Sequence, residues 1–248
     1  AAREAVALGE GADTRFIDAS SAHRVADGWT YGFAELRKGQ REAIASARLV
    51  SNPGCYPTGF LALVAPLVAE DLLPADHGFI VNAVSGYSGG GKDLIQRMQV
   101  DAPEIGFRAY ALGLEHKHLP EMQVHAGLSR APIFAPAVVR AFRGMLVDVP
   151  LFLDPELGFA DARTLHAALA DHYAGEPLVT VAPIDAVPGE LLVSENDPAT
   201  DRLSLYVLPS ADGSQVRLVA MLDNLGKGAS GAAVQNLNIM AELDELAG

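Results

Sequence analysis

Leu49-Val50-Ser51-Asn52-Pro53-Gly54-Cys55-Tyr56-Pro57-Thr58-Gly59 runs directly into the apolar stretch Phe60-Leu61-Ala62-Leu63-Val64-Ala65-Pro66-Leu67-Val68-Ala69. Arg48 to Asn52 reads as a short strand and Pro53-Gly54 as a break. Pro57 suits the first turn of a helix, and the residues after it keep helical spacing. Cys55, the single cysteine of the chain, then stands at a helix N-terminus. Unpaired N–H groups and the macrodipole there favour the thiolate over the thiol. A lone cysteine is more commonly a buried structural residue. The rigid turn made by Pro-Gly before it and Pro-Thr-Gly after it favours a nucleophile with a depressed pKa.

Upstream of this stretch, Ala1 to Leu8 reads as a helix stopped by Gly9-Glu10-Gly11, and Arg15 to Ala19 as a buried strand running into Ser20-Ser21-Ala22-His23-Arg24. Downstream, Gly78 to Ser85 is a strong strand that ends in Gly86-Tyr87-Ser88-Gly89-Gly90-Gly91-Lys92. Further strands are predicted over 107–112, 133–141 and 144–151, with helices over 119–125 and 161–173. Two alternating segments, 202–208 and 215–222, are joined through Asp212-Gly213, a hairpin signal. A glycine loop at 224–231 and a helix over 232–246 close the chain. The first fifty residues therefore predict a parallel α/β unit, and the middle an α+β mixture of antiparallel strands with helices. No long linker separates the two, so they should share a packed interface.

Composition narrows the function. The 248 residues carry 31 acidic and 18 basic side chains, a formal charge of −13, with 24 Gly and 15 Pro. Such an acidic chain argues against nucleic acid as the main partner, yet leaves room for a phosphorylated metabolite held by a local basic cluster. One cysteine excludes an internal disulfide and fits a reducing compartment. No apolar run is long enough to span a bilayer and no signal-peptide pattern opens the chain, which predicts a cytoplasmic protein without a membrane partner.

Three further segments bear chemistry. Glu115-His116-Lys117-His118-Leu119-Pro120-Glu121 crowds two imidazoles together, but His-x-His spreads its side chains about 200° apart on a helix. No metal is expected. An acid/base histidine directed at Cys55 ranks ahead of a solvated helix entry with Glu121 in its first turn. Gly86 to Lys92 nearly spells a phosphate-binding P-loop, but Asp93 replaces the Ser or Thr that would bind Mg²⁺. Exposed N–H groups after a strand can still hold an anion or the polar edge of a cofactor. Asn224-Leu225-Gly226-Lys227-Gly228-Ala229-Ser230-Gly231 is a second loop of the same kind.

Taken in order, these motifs resemble the N-acetyl-γ-glutamyl-phosphate reductase family, within the aspartate-semialdehyde and glyceraldehyde-phosphate dehydrogenase group. Pro53 to Gly59 is similar to the family's cysteine signature, Ser85 to Lys92 to its Ser-Gly-x-Ser-Gly loop, and His116 to Glu121 to its His-x-His-x-Pro-Glu segment. Asp223 to Asn236 resembles its C-terminal signature. Asp18 to Arg24 looks like the strand end that closes its cofactor domain, and Gly28 to Phe33 with Glu35-Leu36 resembles the short form of the enzyme. The resemblance implies the C-terminal remainder of an NAD(P)-binding Rossmann domain over 1–53. It implies a glyceraldehyde-phosphate dehydrogenase-like mixed-sheet catalytic domain over 54–223, and a loop and helix over 224–248 that return to the cofactor domain. The family's first strand and glycine-rich turn have no counterpart here, so poor cofactor affinity is expected of this chain.

The reaction the resemblance implies is NADPH-dependent reduction of N-acetyl-L-glutamyl 5-phosphate to the 5-semialdehyde and phosphate through a Cys55 thioester. His116 or His118 would serve as acid/base, with the family favouring His116. Asn52 would help hold the oxyanion, while Arg24, Lys92 and Arg108 would bind phosphate or carboxylate. Ser20, Ser85, Gly86, Ser88, Gly89 and Asn224-Leu225-Gly226-Lys227-Gly228 would contact NADP, and the protein would be a homo-oligomer, dimer or tetramer. Rival readings are reduction of aspartyl, aminoadipyl or carrier-linked glutamyl phosphate, a non-catalytic remnant, and a cysteine hydrolase.

Overall fold

The computed structural model describes residues 2–9 and 13–247; Ala1 and the helix stop at Glu10-Gly11 lie outside the described residues. Helix α1 (Ala2–Leu8) and strand β1 (Phe16–Asp18) are followed by β2 (Thr30–Tyr31), α2 (Gln40–Ser46) and β3 (Leu49–Ser51). Both β1 and β2 pair parallel to β3, in the order β1-β3-β2. This is the parallel unit predicted for the first fifty residues, although α2 carried no readable helical signal.

Helix α3 (Cys55–Ala69) is buried from Tyr56 to Val68. A helix that is apolar all round has no solvent face to turn outward and becomes the centre of a core. Pro57 occupies the first turn, where a missing N–H costs nothing. Pro66 is different: it removes the donor that Ala62 O would receive inside the helix. The Tyr173 hydroxyl fills that gap, donating to Ala62 O at 2.9 Å.

The rest of the chain supplies β4 (Ile80–Gly86), α4 (Gly91–Gln96), β5 (Phe107–Ala109), α5 (Leu119–His125), β6 (Ile133–Val139) and β7 (Met145–Phe152). It continues with α6 (Ala162–His172), β8 (Val179–Val181), β9 (Leu203–Pro209), β10 (Gln215–Leu222) and α7 (Gly231–Met240). The large sheet has seven strands in the order β5-β6-β4-β7-β10-β9-β8. Pairings β4–β6 and β8–β9 are parallel and the others antiparallel. Helices α3 and α6 cover one face, burying Val81, Ala83, Val147, Val149, Leu205 and Leu218. On the other face Ile80, Ile133 and Phe152 are exposed.

Where elements differ from expectation, a local cause is visible. Strand β5 ends at Ala109 rather than 112, because Ala111 and Leu114 turn the chain with φ of 53° and 59°. Helix α7 ends at Met240, well short of 246: Glu242 has φ 57° and the Asn238 amide donates to Glu245 O and Ala247 O. The β9–β10 hairpin and the bounds of α5 are as predicted. Helix α7 packs Met240 against Ala34, Ile44 and Val50 of the small parallel unit. That return carries residues 226–230 to the end of β3, beside Cys55. Among the described residues, no helix is long and apolar enough to cross a membrane.

Candidate active site

Cys55 begins α3, with Gly54 at its N-cap in an extended conformation. Gly54 N–H donates to Glu121 Oε1 at 2.7 Å, and the same carboxylate accepts from Tyr31 Oη (2.6 Å) and Arg24 Nη1 (3.1 Å). A side chain at residue 54 would displace its neighbours, because its Cβ would lie 2.6 Å from Arg24 Nη1 and 2.7 Å from His118 Nε2. Gly228 closes on the nucleophile from the other side, where an added Cβ would lie 2.8 Å from Cys55 Cβ. Glycine at 54 leaves room for Arg24 and His118, and glycine at 228 lets the loop backbone lie against Cys55.

The surroundings of Cys55 work against the depressed thiol pKa expected from the sequence. Burial pushes the Cys55 thiol up to about 11; the Tyr56 N–H and Arg24 pull it down, Glu121 pushes it further up, and the pull is too weak to offset the burial. The helix N-terminus acts as expected, but the desolvation of this half-buried cysteine on the cleft wall outweighs it. The imidazoles are displaced in the opposite direction. Burial lowers His116 to about 4 with help from Lys117, and lowers His118 well below its ordinary value, with His116, Arg24 and Lys117 adding repulsion. At neutral pH the resting site therefore holds a thiol and two neutral imidazoles. The backbone N–H of His118 donates to His116 Nδ1 at 3.1 Å, which leaves the His116 ring proton on Nε2. His118 Nδ1 is buried without a partner.

One cleft of about 370 Å³ gathers Cys55, both histidines, Arg24, Asn52 and Arg108 with Ser85, Gly86, Ser88 and Gly89 of the first glycine loop. From the second loop come Asn224, Leu225 and Gly228. Arg24 is tied down, donating to Asn52 O, Ala19 O and Glu121. Asn52 is also committed: its Nδ2 donates to Ala229 O at 2.9 Å and its Oδ1 accepts from Asn236. It ties the second loop to the end of β3 more directly than it could serve an oxyanion. Arg108 lays its guanidinium over Tyr110, 4.8 Å from the ring centroid, and has no carboxylate partner among the described residues.

Four expected residues are placed elsewhere. Lys92 is exposed and outside the cleft lining. Ser20 turns back to donate to Asp18 Oδ2, and Ala19 lines the cleft instead. Gly226 packs against Thr200 and Asp201. Lys227 is fully buried in a salt bridge to Glu35, so its ammonium faces away from the cleft.

Sequence reading gave Glu121 no role in the site and named it in the second-ranked reading, a solvated helix entry; the residue is 1 % exposed and burial raises its pKa. Its signals were its place three residues after His118 and at the end of the His-x-His-x-Pro-Glu segment. It also passed over Lys117, Tyr110 and Ala229, which line the cleft.

Residues 55–224 match the family described as semialdehyde dehydrogenase, dimerisation domain. N-acetyl-gamma-glutamyl-phosphate reductase of Brucella ovis is 54% identical over 247 residues, spanning 97% of this chain and 79% of that protein. The Brucella suis biovar 1 protein of the same name matches to the same extent. Aspartate semialdehyde dehydrogenase II from Vibrio cholerae superposes with a TM-score of 0.69 at 18% identity, covering 97% of this chain and 76% of that one. The Francisella tularensis aspartate semialdehyde dehydrogenase gives 0.65 at 16% identity, covering 96% and 76%. At such low identity these two likenesses speak for the fold.

Proposed function

This chain belongs to the N-acetyl-gamma-glutamyl-phosphate reductases of the semialdehyde dehydrogenase family, and on that premise we propose how its cleft reduces N-acetyl-L-glutamyl 5-phosphate. The products are N-acetyl-L-glutamate 5-semialdehyde and phosphate, a step of arginine biosynthesis. One observation carries the reading: a single cleft joins the nucleophile, two neutral imidazoles and two glycine loops.

The residues present fit a nicotinamide cofactor, which we take to be NADPH. Asn224 Oδ1 is buried without a hydrogen-bond partner while its Nδ2 is spent on Ser88 Oγ at 2.9 Å. An amide group entering beside Ser85 to Gly89 would satisfy that oxygen. When bound, the cofactor supplies the hydride that reduces the thioester. Residues 1–53 and 224–248 would frame the cofactor, and 54–223 the substrate.

The raised thiol pKa shapes the first step. Cys55 does not rest as a thiolate, so its proton moves to a neutral imidazole as sulfur bonds to the acyl carbon and the C–O bond to phosphate breaks. Arg108, the cleft arginine without a carboxylate partner, is the group we assign to the phosphate or the substrate carboxylate. His116, with its proton on Nε2, is set to donate to the carbonyl oxygen as negative charge grows there. The imidazolium left by the first step protonates the oxygen to give the thiohemiacetal, and on collapse that proton returns through the imidazole to the departing sulfur as the C–S bond breaks, leaving the Cys55 thiol and freeing the aldehyde. His118 remains the second acid/base candidate.

The family's dimerisation domain and the exposed apolar residues on the uncovered sheet face support a homo-oligomer. A cytoplasmic location belongs to the same reading. Side-by-side assays with N-acetylglutamyl, aspartyl and aminoadipyl phosphates and NADPH test it. Aldehyde should form from the N-acetylglutamyl ester at the highest kcat/KM; preference for another ester, or release of acid instead of aldehyde, would overturn the assignment.

A further inference from the structure

We propose that Lys227 is a positioning residue for Cys55, acting through a sealed ion cage on the far side of the second glycine loop. This deepens the reductase reading and rests on it for the role of Cys55. Lys227 Nζ donates to Glu35 Oε1 at 2.7 Å and Oε2 at 2.8 Å, and to Gln235 Oε1 at 2.7 Å, which spends all three ammonium protons. The ammonium also lies 5.6 Å from the Phe33 ring centroid. Gln235 Nε2 donates in turn to Glu35 Oε1 and to Glu245 Oε1, and Arg41 pairs with Glu245 and Glu176. Glu35 lies beyond β2, Lys227 in the loop and Gln235 on α7, so the cage joins three separate parts of the fold.

The cage matters to the sulfur because of what the next two residues do. Gly228, one position on from the anchored lysine, leaves no room for a Cβ against Cys55, and its N–H donates to Asp223 O at 2.9 Å. Ala229 O accepts from Asn52. The loop is thus held at 227 by the cage and at 229 by the end of β3, and between these points its backbone is laid on the nucleophile. Breaking one member of a buried, fully hydrogen-bonded charge pair leaves an uncompensated charge, so on this proposal the cage holds the loop in one arrangement. It fixes how closely the loop covers the thiol and where Asn224 and Leu225 enter the cleft.

Lys227→Met alone strands a buried carboxylate and can unfold the protein. The paired variant Glu35→Gln with Lys227→Met removes both charges at similar volume, and Gln235→Leu removes one acceptor while keeping the pair. Each folded variant, checked by near-ultraviolet circular dichroism, is read by iodoacetamide labelling of Cys55 against pH and by kcat and KM with N-acetylglutamyl phosphate and NADPH. With the loop released, Cys55 should label about fivefold faster, with its inflection moved down toward the free-thiol value. The paired variant should lose about tenfold or more in kcat, the scale of a small misplacement at the reacting centre, with little change in KM. Gln235→Leu should move the same readouts in the same direction by less. A folded variant with the unaltered labelling profile and kcat makes the cage merely structural and overturns the proposal. Labelling needs no substrate, so a shifted thiol profile without turnover on this ester would count against the reaction and not against the positioning role.

Discussion

Two glycine loops approach the same cleft, and each carries a Gly-Lys step with opposite fates. At Gly91-Lys92 the lysine projects into solvent from the start of α4. At Gly226-Lys227 it is 1 % exposed and locked to Glu35. As sequence the two are alike, and both invite the same phosphate-binding reading. What separates them is where their partners come from. Glu35 lies 192 residues before Lys227 and reaches it only because α7 folds back onto the small parallel unit. Lys92 in the first loop has no such partner among the described residues, so hydration decides its placement. A basic residue beside glycines is evidence of an anion site only when nothing else in the fold has claimed its charge.

The sharpest test lies at the atom both loops face. Cys55→Ser should lower kcat by about three orders of magnitude or more, the scale for removing a covalent nucleophile. Steady-state aldehyde formation checks this, and a nearly normal rate would leave the loops enclosing a bystander. Next comes the anchored lysine. Lys227→Met should cost about 3–5 kcal/mol of stability, as expected when one member of a buried ion pair is removed, and urea denaturation would measure it. Third is the thiol itself. With a pKa of about 11, only a small fraction is ionised at neutral pH, and that fraction rises with pH throughout the accessible range. Labelling at pH 7 should therefore run about a hundredfold slower than for an unperturbed cysteine, with an inflection above pH 9. An inflection near 8.5 would show that the helix N-terminus prevails over burial after all. The smallest effect belongs to the exposed lysine: Lys92→Ala should stay within about 0.5 kcal/mol in stability and leave kcat and KM close to their starting values.

Much of the site was legible because its determinants are local. Pro53-Gly54 breaks the strand, Pro57 suits a first turn, and the apolar run after it favours a buried helix. Position 55 as a helix start follows from those few residues. The His-x-His segment and both glycine loops were visible as punctuation. What escaped was set by contacts between distant segments. Glu121 looks like any acidic residue near a helix start, and its role depends on Gly54, Tyr31 and Arg24, each at least 67 residues away. The thiol pKa followed the same pattern: the helix end was readable, while the enclosure that overrides it is assembled from α5, the glycine loops and the end of β3. Strand β8 and helix α2 are too short, and too dependent on neighbours, to announce themselves.

The hydroxyl that Tyr173 lends to Ala62 O binds the fates of two residues that never touch in sequence. Pro66→Ala would restore the helix's own donor at that carbonyl, and the tyrosine would become dispensable. Tyr173→Phe on its own would leave a core carbonyl without a donor. The two substitutions should therefore show strong epistasis, the second tolerated chiefly in the background of the first. A lineage of such chains could lose the phenol only after losing the proline.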